Sequence, residues 1–304
     1  MSLSEIVEKE KIKIKLRNLK NGITPLHRIS WNGNIKTATE YLLANGLLDI
    51  NSKDNNGSTP LHIATLRGNI EMMELLLKNT SNPNEKDNIG STPLHTATIC
   101  INSSRKFEMV ELLLNHNANP NEKNKYGDAP LHEALLFGYA DVIELLLKNA
   151  SNPNEKNKYG DAPLHNAVRN GYVEIVKILL NHNADPNIKN SYENTSLRIA
   201  VEYNHTEIVK ILLLNPDVDP TEKNHFGDDI LFYAVMCGNI EIVKLLLEHT
   251  IKFNEKSIHA SLYHALMSKN IKIIEILLSR IEKDRLDEYT KNKLKKEYSF
   301  LIKE

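Results

Sequence analysis

Histidine is the residue type in this sequence most suited to chemistry near neutral pH, and its spacing is regular. Five of the 12 histidines, His27, His62, His95, His132 and His165, recur at intervals of 33 to 37 residues. An imidazole can move protons or ligate a metal. A metal centre, however, needs several ligands converging on one point, whereas these five are spread along the chain one period apart. Each also follows the same Pro-Leu pair, which points to a structural role repeated five times. His116 and His182 likewise occupy equivalent positions. The 39 acidic residues are distributed with the same periodicity on polar helix surfaces. HExxH, paired CxxC, a phosphate-cradling glycine loop and a nucleophile elbow are all missing from the sequence. The expectation is a chain that is not an enzyme, with no catalytic residue, no metal and no cofactor.

The elements that carry these histidines follow from the repeat itself. Leu26, Leu61, Leu94, Leu131, Leu164, Leu197, Leu231 and Leu262 stand 35, 33, 37, 33, 33, 34 and 31 residues apart. Three residues after most of them comes an alanine, from Ala64 to Ala265; the first copy has Ile29 instead. In Thr59-Pro60-Leu61-His62 the threonine is a helix cap, and proline sits in the first turn where no backbone donor is needed. Gly68 ends this short helix, and Glu71 favours the start of a second. Leu61 and Ala64 are expected to pack on Leu75 and Leu76. Asn82 to Gly90 is turn-rich and predicts a projecting hairpin. The spacing places first helices near 60–67, 93–100, 130–137, 163–170 and 196–203. About four extra residues at Ile101-Asn102-Ser103-Ser104 lengthen one inter-helix turn.

Eight registered copies of this pattern, with a period near 33, resemble the ankyrin repeat family over about residues 21–280. The resemblance implies an all-α ankyrin-repeat solenoid of about eight helix-turn-helix units, with projecting hairpin loops and helical caps. Residues 1–20 form the N-terminal cap with Leu3, Ile6 and Val7 inward. Residues 281–304 form a C-terminal helical cap or tail in which Leu286, Tyr289, Leu294, Tyr298 and Leu301 cover the last repeat. The recurrent histidine is expected to hydrogen-bond the adjoining hairpin backbone. Residues 122–132 and 155–165 are identical in sequence, as after an internal duplication.

The resemblance also implies where function lies. The two residues before the inter-helix glycine, and the hairpin tips, face a binding groove in this family. The groove candidates are Trp31, Leu66, Arg67, Leu136, Phe137, Arg169, Tyr203 and Met236; the tip candidates are Tyr126, Tyr159, Tyr192 and Phe226. The expected function is a protein–protein interaction module that binds a partner through groove and tips. The alternative is an adaptor or effector whose output lies in 281–304, the repeats selecting its target.

Composition narrows the partners. With 38 basic and 39 acidic residues the net charge is -1, so no global field favours nucleic acid or an anionic membrane. No apolar run reaches the roughly 18–20 residues of a membrane span. Two cysteines do not make a disulfide framework and suggest a reducing compartment. The expected partner is another protein, a host protein included, met by a monomer in the cytoplasm or in a host cytosol. The abundance of Asn, Ile and Lys is that of AT-rich genomes, such as those of intracellular bacteria and large DNA viruses.

Overall fold

The computed structural model describes residues 22–45, 50–100, 104–221, 223, 227–249, 253, 255–281 and 286–301. The expected N-terminal helix of residues 1–20, Phe226, and Ile101 to Ser103 of the long turn lie outside them. Among the described residues there are seventeen α-helices and no strand. The chain divides into two compact units, residues 1–158 and 159–304.

Unit 1 contains four helical hairpins. They are α1 (Pro25–Asn32) with α2 (Ile35–Asn45), α3 (Pro60–Leu66) with α4 (Ile70–Lys78), α5 (Pro93–Ile99) with α6 (Lys106–Asn115), and α7 (Pro130–Phe137) with α8 (Ala140–Lys148). Unit 2 holds α9 (Pro163–Arg169) with α10 (Val173–Asn181), α11 (Ser196–Glu202) with α12 (Thr206–Leu214), α13 (Ile230–Cys237) with α14 (Ile240–His249), α15 (Glu255–Met267) with α16 (Ile271–Leu278), and a terminal α17 (Glu288–Glu297). Within each unit, first helices stack on first helices and second helices on second helices. The first helices start where the sequence places them and end within a residue of the expected bounds.

Two positions per repeat account for that stacking. The motif leucine and the alanine three residues on are almost completely buried, as Leu61, Ala64, Leu94 and Ala97 show. Burying a leucine contributes roughly 1.5–3 kcal/mol, and the small alanine lets the neighbouring helix come close. On the second helices the buried face differs from expectation by one residue. In α4, Met72, Met73, Leu76 and Leu77 are buried while Leu75 is half-buried. Each residue advances about 100° around the helix. A face built on 72, 73, 76 and 77 therefore turns Leu75 toward its edge.

The joint between repeats is the histidine. The backbone N–H of Thr59 donates to His62 Nδ1 at 3.1 Å, and His62 Nε2 lies 3.1 Å from the carbonyl oxygen of Ser91 in the next hairpin. Because Nδ1 accepts a backbone N–H, the ring carries its proton on Nε2 and donates it to Ser91. The same pair of bonds links His27 to Thr24 and Ser58, and His95 to Thr92 and Asp128. In unit 2, His165 bonds Ala162 N–H and the carbonyls of Ile188 and Asn194. At Ala129 and Ala162, which have no capping oxygen, the imidazole is the group that satisfies the N-cap amide.

The hairpins are joined edge to edge as well. Asn88 N–H donates to Asn56 O and Lys125 N–H to Ile89 O, each at 2.8 Å. Lys53, Lys86 and Lys123 each form an ion pair with the next hairpin's Glu85, Glu122 and Glu155. Each lysine also donates to the carbonyl of the next lysine in register. Gly57 has φ +77°, and a Cβ there would lie 2.6 Å from Asn88 N, so close approach as well as backbone conformation requires glycine.

At the C-terminus, Asp287 caps α17 by accepting from Thr290 N–H at 2.8 Å and Thr290 Oγ1 at 2.7 Å. Leu286, Leu294 and Tyr298 are buried, and Tyr298 Oη donates to Leu266 O of α15 at 3.4 Å. Tyr289 is not buried; it is 52% exposed.

Thr80, after α4, has φ 67°, a conformation costly for a β-branched residue. Thr80→Gly should raise stability by about 0.5–1 kcal/mol. Gly57→Ala should lower it by at least ~1–2 kcal/mol. Denaturant melts giving the same sign for both would contradict these hairpin conformations.

Candidate partner-binding surface

The residue five positions after each motif leucine lies in the last turn of the first helix and stays outside the core. In unit 1 this slot holds Trp31, Leu66, Ile99 and Leu136, on the mutually stacked α1, α3, α5 and α7. Their exposures are 49, 50, 39 and 60%, which is high for side chains of this size. The Arg67 guanidinium lies 4.6 Å from the centroid of the Trp31 ring, so these two neighbouring candidates form one unit. Cys100, in the slot beside Ile99, is buried. Leu66 to Leu136 thus makes an apolar row with an arginine–tryptophan pair at one end.

Phe137 is 39% exposed and shares its exposure with a second task. Its ring stacks on Tyr139 at 5.8 Å, and both rings cover the buried ammonium of Lys106, which is 3.6 Å from the Tyr139 centroid and 5.6 Å from that of Phe137. Lys106 Nζ donates to Thr98 O at 3.1 Å. Cation–π contact on two rings offsets part of the cost of taking a lysine out of water. The sequence reading missed Lys106. The 37-residue interval between Leu94 and Leu131 contains the signal: aligning Glu108 on Glu71 puts Lys106 in the slot where Asn69 caps α4.

In unit 2 the candidates are Arg169, Tyr203 and Met236. Arg169 forms an ion pair with the buried Asp161 at 3.1 Å and donates to Asn166 Oδ1 at 2.9 Å. Asp161 in turn accepts from Asn190 at 2.8 Å, so this guanidinium is anchored within its own repeat. Tyr203 is 49% exposed and stacks on His205 at 6.2 Å. Met236 is 49% exposed on α13. At the hairpin tips, Tyr126 of unit 1 and Tyr159 and Tyr192 of unit 2 are 55, 57 and 70% exposed. No group of three or more metal-ligating side chains occurs among the described residues, and no described helix is long and apolar enough to cross a membrane.

Two kinds of buried titratable group lie beside these surfaces. Burial lowers the pKa of His62 and His165, and takes that of His95 down to about 4, against the backbone hydrogen bonds that favour the charged ring. Glu133 on α7 goes the other way. Burial raises its carboxyl to about 8, Asp128 and Asp87 push in the same direction, and Asn124 Nδ2 donates to its Oε1 at 3.0 Å.

These shifts have opposite consequences. The histidines bind a proton more readily unfolded, at about 6.5, than folded. Their stabilisation is complete above about pH 6.5 and is lost as pH falls below it, in the case of His95 toward 4. Glu133 holds its proton when folded, so its contribution is complete below about pH 4.5 and is lost as pH rises toward 8. Denaturant midpoints should therefore fall on acidification below pH 6.5. Glu133→Gln should gain about 1–3 kcal/mol at pH 8 and almost nothing at pH 4.5. A variant whose advantage is the same at both pH values would place the Glu133 carboxyl in water.

Comparison with known proteins identifies the repeat. The family model described as ankyrin repeats (3 copies) matches residues 3–87, 81–157, 149–224 and 197–287. No curated protein sequence matches. Among solved structures, the ankyrin repeat domain of Bcl-3, a member of the IkappaB family, is similar at 25% identity and a TM-score of 0.67, over 75% of this chain and 100% of that one. An ankyrin repeat domain from Acinetobacter baumannii AYE is similar at 30% identity and a TM-score of 0.58, over 62% of this chain and 96% of that one.

Proposed function

The chain belongs to the ankyrin repeat family, and from that premise we propose that it binds a partner protein through the exposed ends of its first helices and its tyrosine hairpin tips. The observation that carries this reading is the apolar row Trp31, Leu66, Ile99 and Leu136, 39 to 60% exposed at one slot of consecutive first helices. Large apolar side chains held in water at consecutive positions are the anchors that partner burial turns into binding energy. In unit 2 Tyr203 and Met236 offer the same kind of anchor, and Tyr126, Tyr159 and Tyr192 add contacts at the tips. Fixed aromatic rings lose little conformational entropy on binding.

The protein acts as a monomeric scaffold without catalysis or cofactor. Both cysteines are free thiols, as suits a reducing cytosol, the cell's own or a host's. Its partner is a protein, a host protein included, rather than nucleic acid or membrane. A second reading, in which residues 281–304 carry an output of their own, is favoured by the exposed lysines of α17.

Leu136 and Tyr203 are the discriminating positions, because Phe137→Ala would also uncover Lys106. Leu136→Ala and Tyr203→Ala should melt within about 1 kcal/mol of the parent. Each should weaken partner binding by at least ~20-fold, about 2 kcal/mol for an interface anchor. Photo-crosslinking in lysate of the native cell, followed by titration of the captured protein, reads both. Variants that bind as tightly as the parent would remove these slots from the interface, and variants that unfold would assign them to the core.

A further inference from the structure

The last repeat ends in a surface that differs in chemistry from the apolar row. In the last repeat the residue after the motif leucine is Tyr263, and the terminal helix α17 stands in place of a ninth repeat. The Tyr263 and Tyr289 rings meet at 5.5 Å, tilted by 41°. One turn further along α15, Met267 Sδ lies 3.1 Å from Lys293 Nζ of α17. Tyr263, Met267 and Tyr289 remain 46, 53 and 52% exposed. Two aromatic rings, a thioether and an ammonium are thus placed in one contiguous patch by contacts between α15 and α17.

Helical periodicity extends the patch. Lys256, Ala260, Tyr263 and Met267 fall at i, i+4, i+7 and i+11, and all four are exposed. On α17, Tyr289, Lys293 and Lys296 share one face. Neither stripe contains an acidic residue. Of the nearby carboxylates, Asp287 is held by Thr290 as the α17 cap. Glu288 lies across the helix from Lys293 by the same periodicity, whereas Glu297, four residues after Lys293, lies on the same side at the helix end.

We propose that this face of α15 and α17 is a second docking surface, whose occupant is an acidic segment of a partner protein carrying aromatic anchors. Charge complementarity selects the acid: among the described residues Lys256, Lys293 and Lys296 bring three cations to the patch, against Glu297 on the same side of α17. The tyrosine pair and Met267 select the anchors, since a thioether adapts its shape and packs well on an aromatic ring. Three lysines fall short of the basic clusters that hold anionic lipid or neutralise a run of phosphates. This surface is independent of Leu136 and Tyr203, so either reading can fail without the other.

A fluorescent random copolymer of glutamate and tyrosine is the probe, titrated against the full chain by anisotropy. Homopolymeric glutamate, phosphatidylserine vesicles and oligothymidylate serve as comparisons. The copolymer should bind, and more tightly than any of the three. K293E/K296E should weaken it by at least ~10-fold, and Tyr289→Ser, a change at an exposed site, should weaken it as well. The control K78E/K148E, which makes the same change of net charge on α4 and α8, should leave it unaltered. Equal losses in both double variants would reduce the effect to net charge and overturn the proposal. So would absent binding, tighter binding to vesicles or oligothymidylate, or self-association of the chain that K293E/K296E abolishes.

Discussion

In unit 1, and at the start of unit 2, the repeats are held to one another by a hydrogen-bonded imidazole that has to remain neutral. In His62 the nitrogen nearest its own helix accepts the amide of Thr59, and the opposite nitrogen donates to Ser91 in the next hairpin. One ring thus satisfies an orphan amide at a helix start and also fixes the distance to the following repeat. Alternatives do this less well. A lysine or arginine cannot accept, a carboxylate cannot donate, and an amide side chain is shorter. Protonation would turn the accepting nitrogen into a donor aimed at another donor, which is why burial and geometry both favour the neutral ring.

From the sixth repeat on, the same slot carries Arg198, Phe232 and Tyr263, and the joint changes chemistry. Arg198 lies 3.7 Å over the Tyr233 ring, Phe232 meets His264 edge to face at 5.5 Å, and Tyr263 meets Tyr289 at a tilt. Each side chain still reaches one element forward. It does so through a π surface rather than a directed hydrogen bond, and no hairpin carbonyl is needed. Ring contacts of this kind tolerate variation in spacing, which fits the irregular intervals of 34 and 31 residues in this part of the chain.

Much of this was legible from the residues. The leucine spacing located the first helices to within a residue, because the leucine keeps a fixed place after the helix start, which proline marks in most repeats. The structural role of the five histidines was legible because regular spacing along a chain is the opposite of convergence on a site. What the sequence hid were contacts that depend on register across repeats. Phe137 read as a free groove residue, yet its ring covers an ammonium supplied 31 positions earlier in the chain. Arg169 read as an available cation, yet it belongs to Asp161. Glu133 sits among ordinary surface-type neighbours in sequence and becomes an unusual acid only when stacking buries it. Pattern gives the address of a residue; the partner across the repeat decides whether it is free to act.

The lysine–glutamate edge of unit 1 has a direction. Every lysine from Lys53 to Lys123 reaches toward the C-terminus, to a glutamate in the following hairpin. The hairpin that supplies Lys53 carries Ser52 in the slot of Glu85, Glu122 and Glu155. An array of interchangeable hairpins presents a donor edge at one end and a matching acceptor edge at the other, the condition under which molecules add head to tail into filaments. Here the Lys53 hairpin has serine where its neighbours have a carboxylate, so the run of ion pairs among the described residues begins at Lys53. A single serine in place of glutamate therefore gives this charged edge a defined start inside the chain.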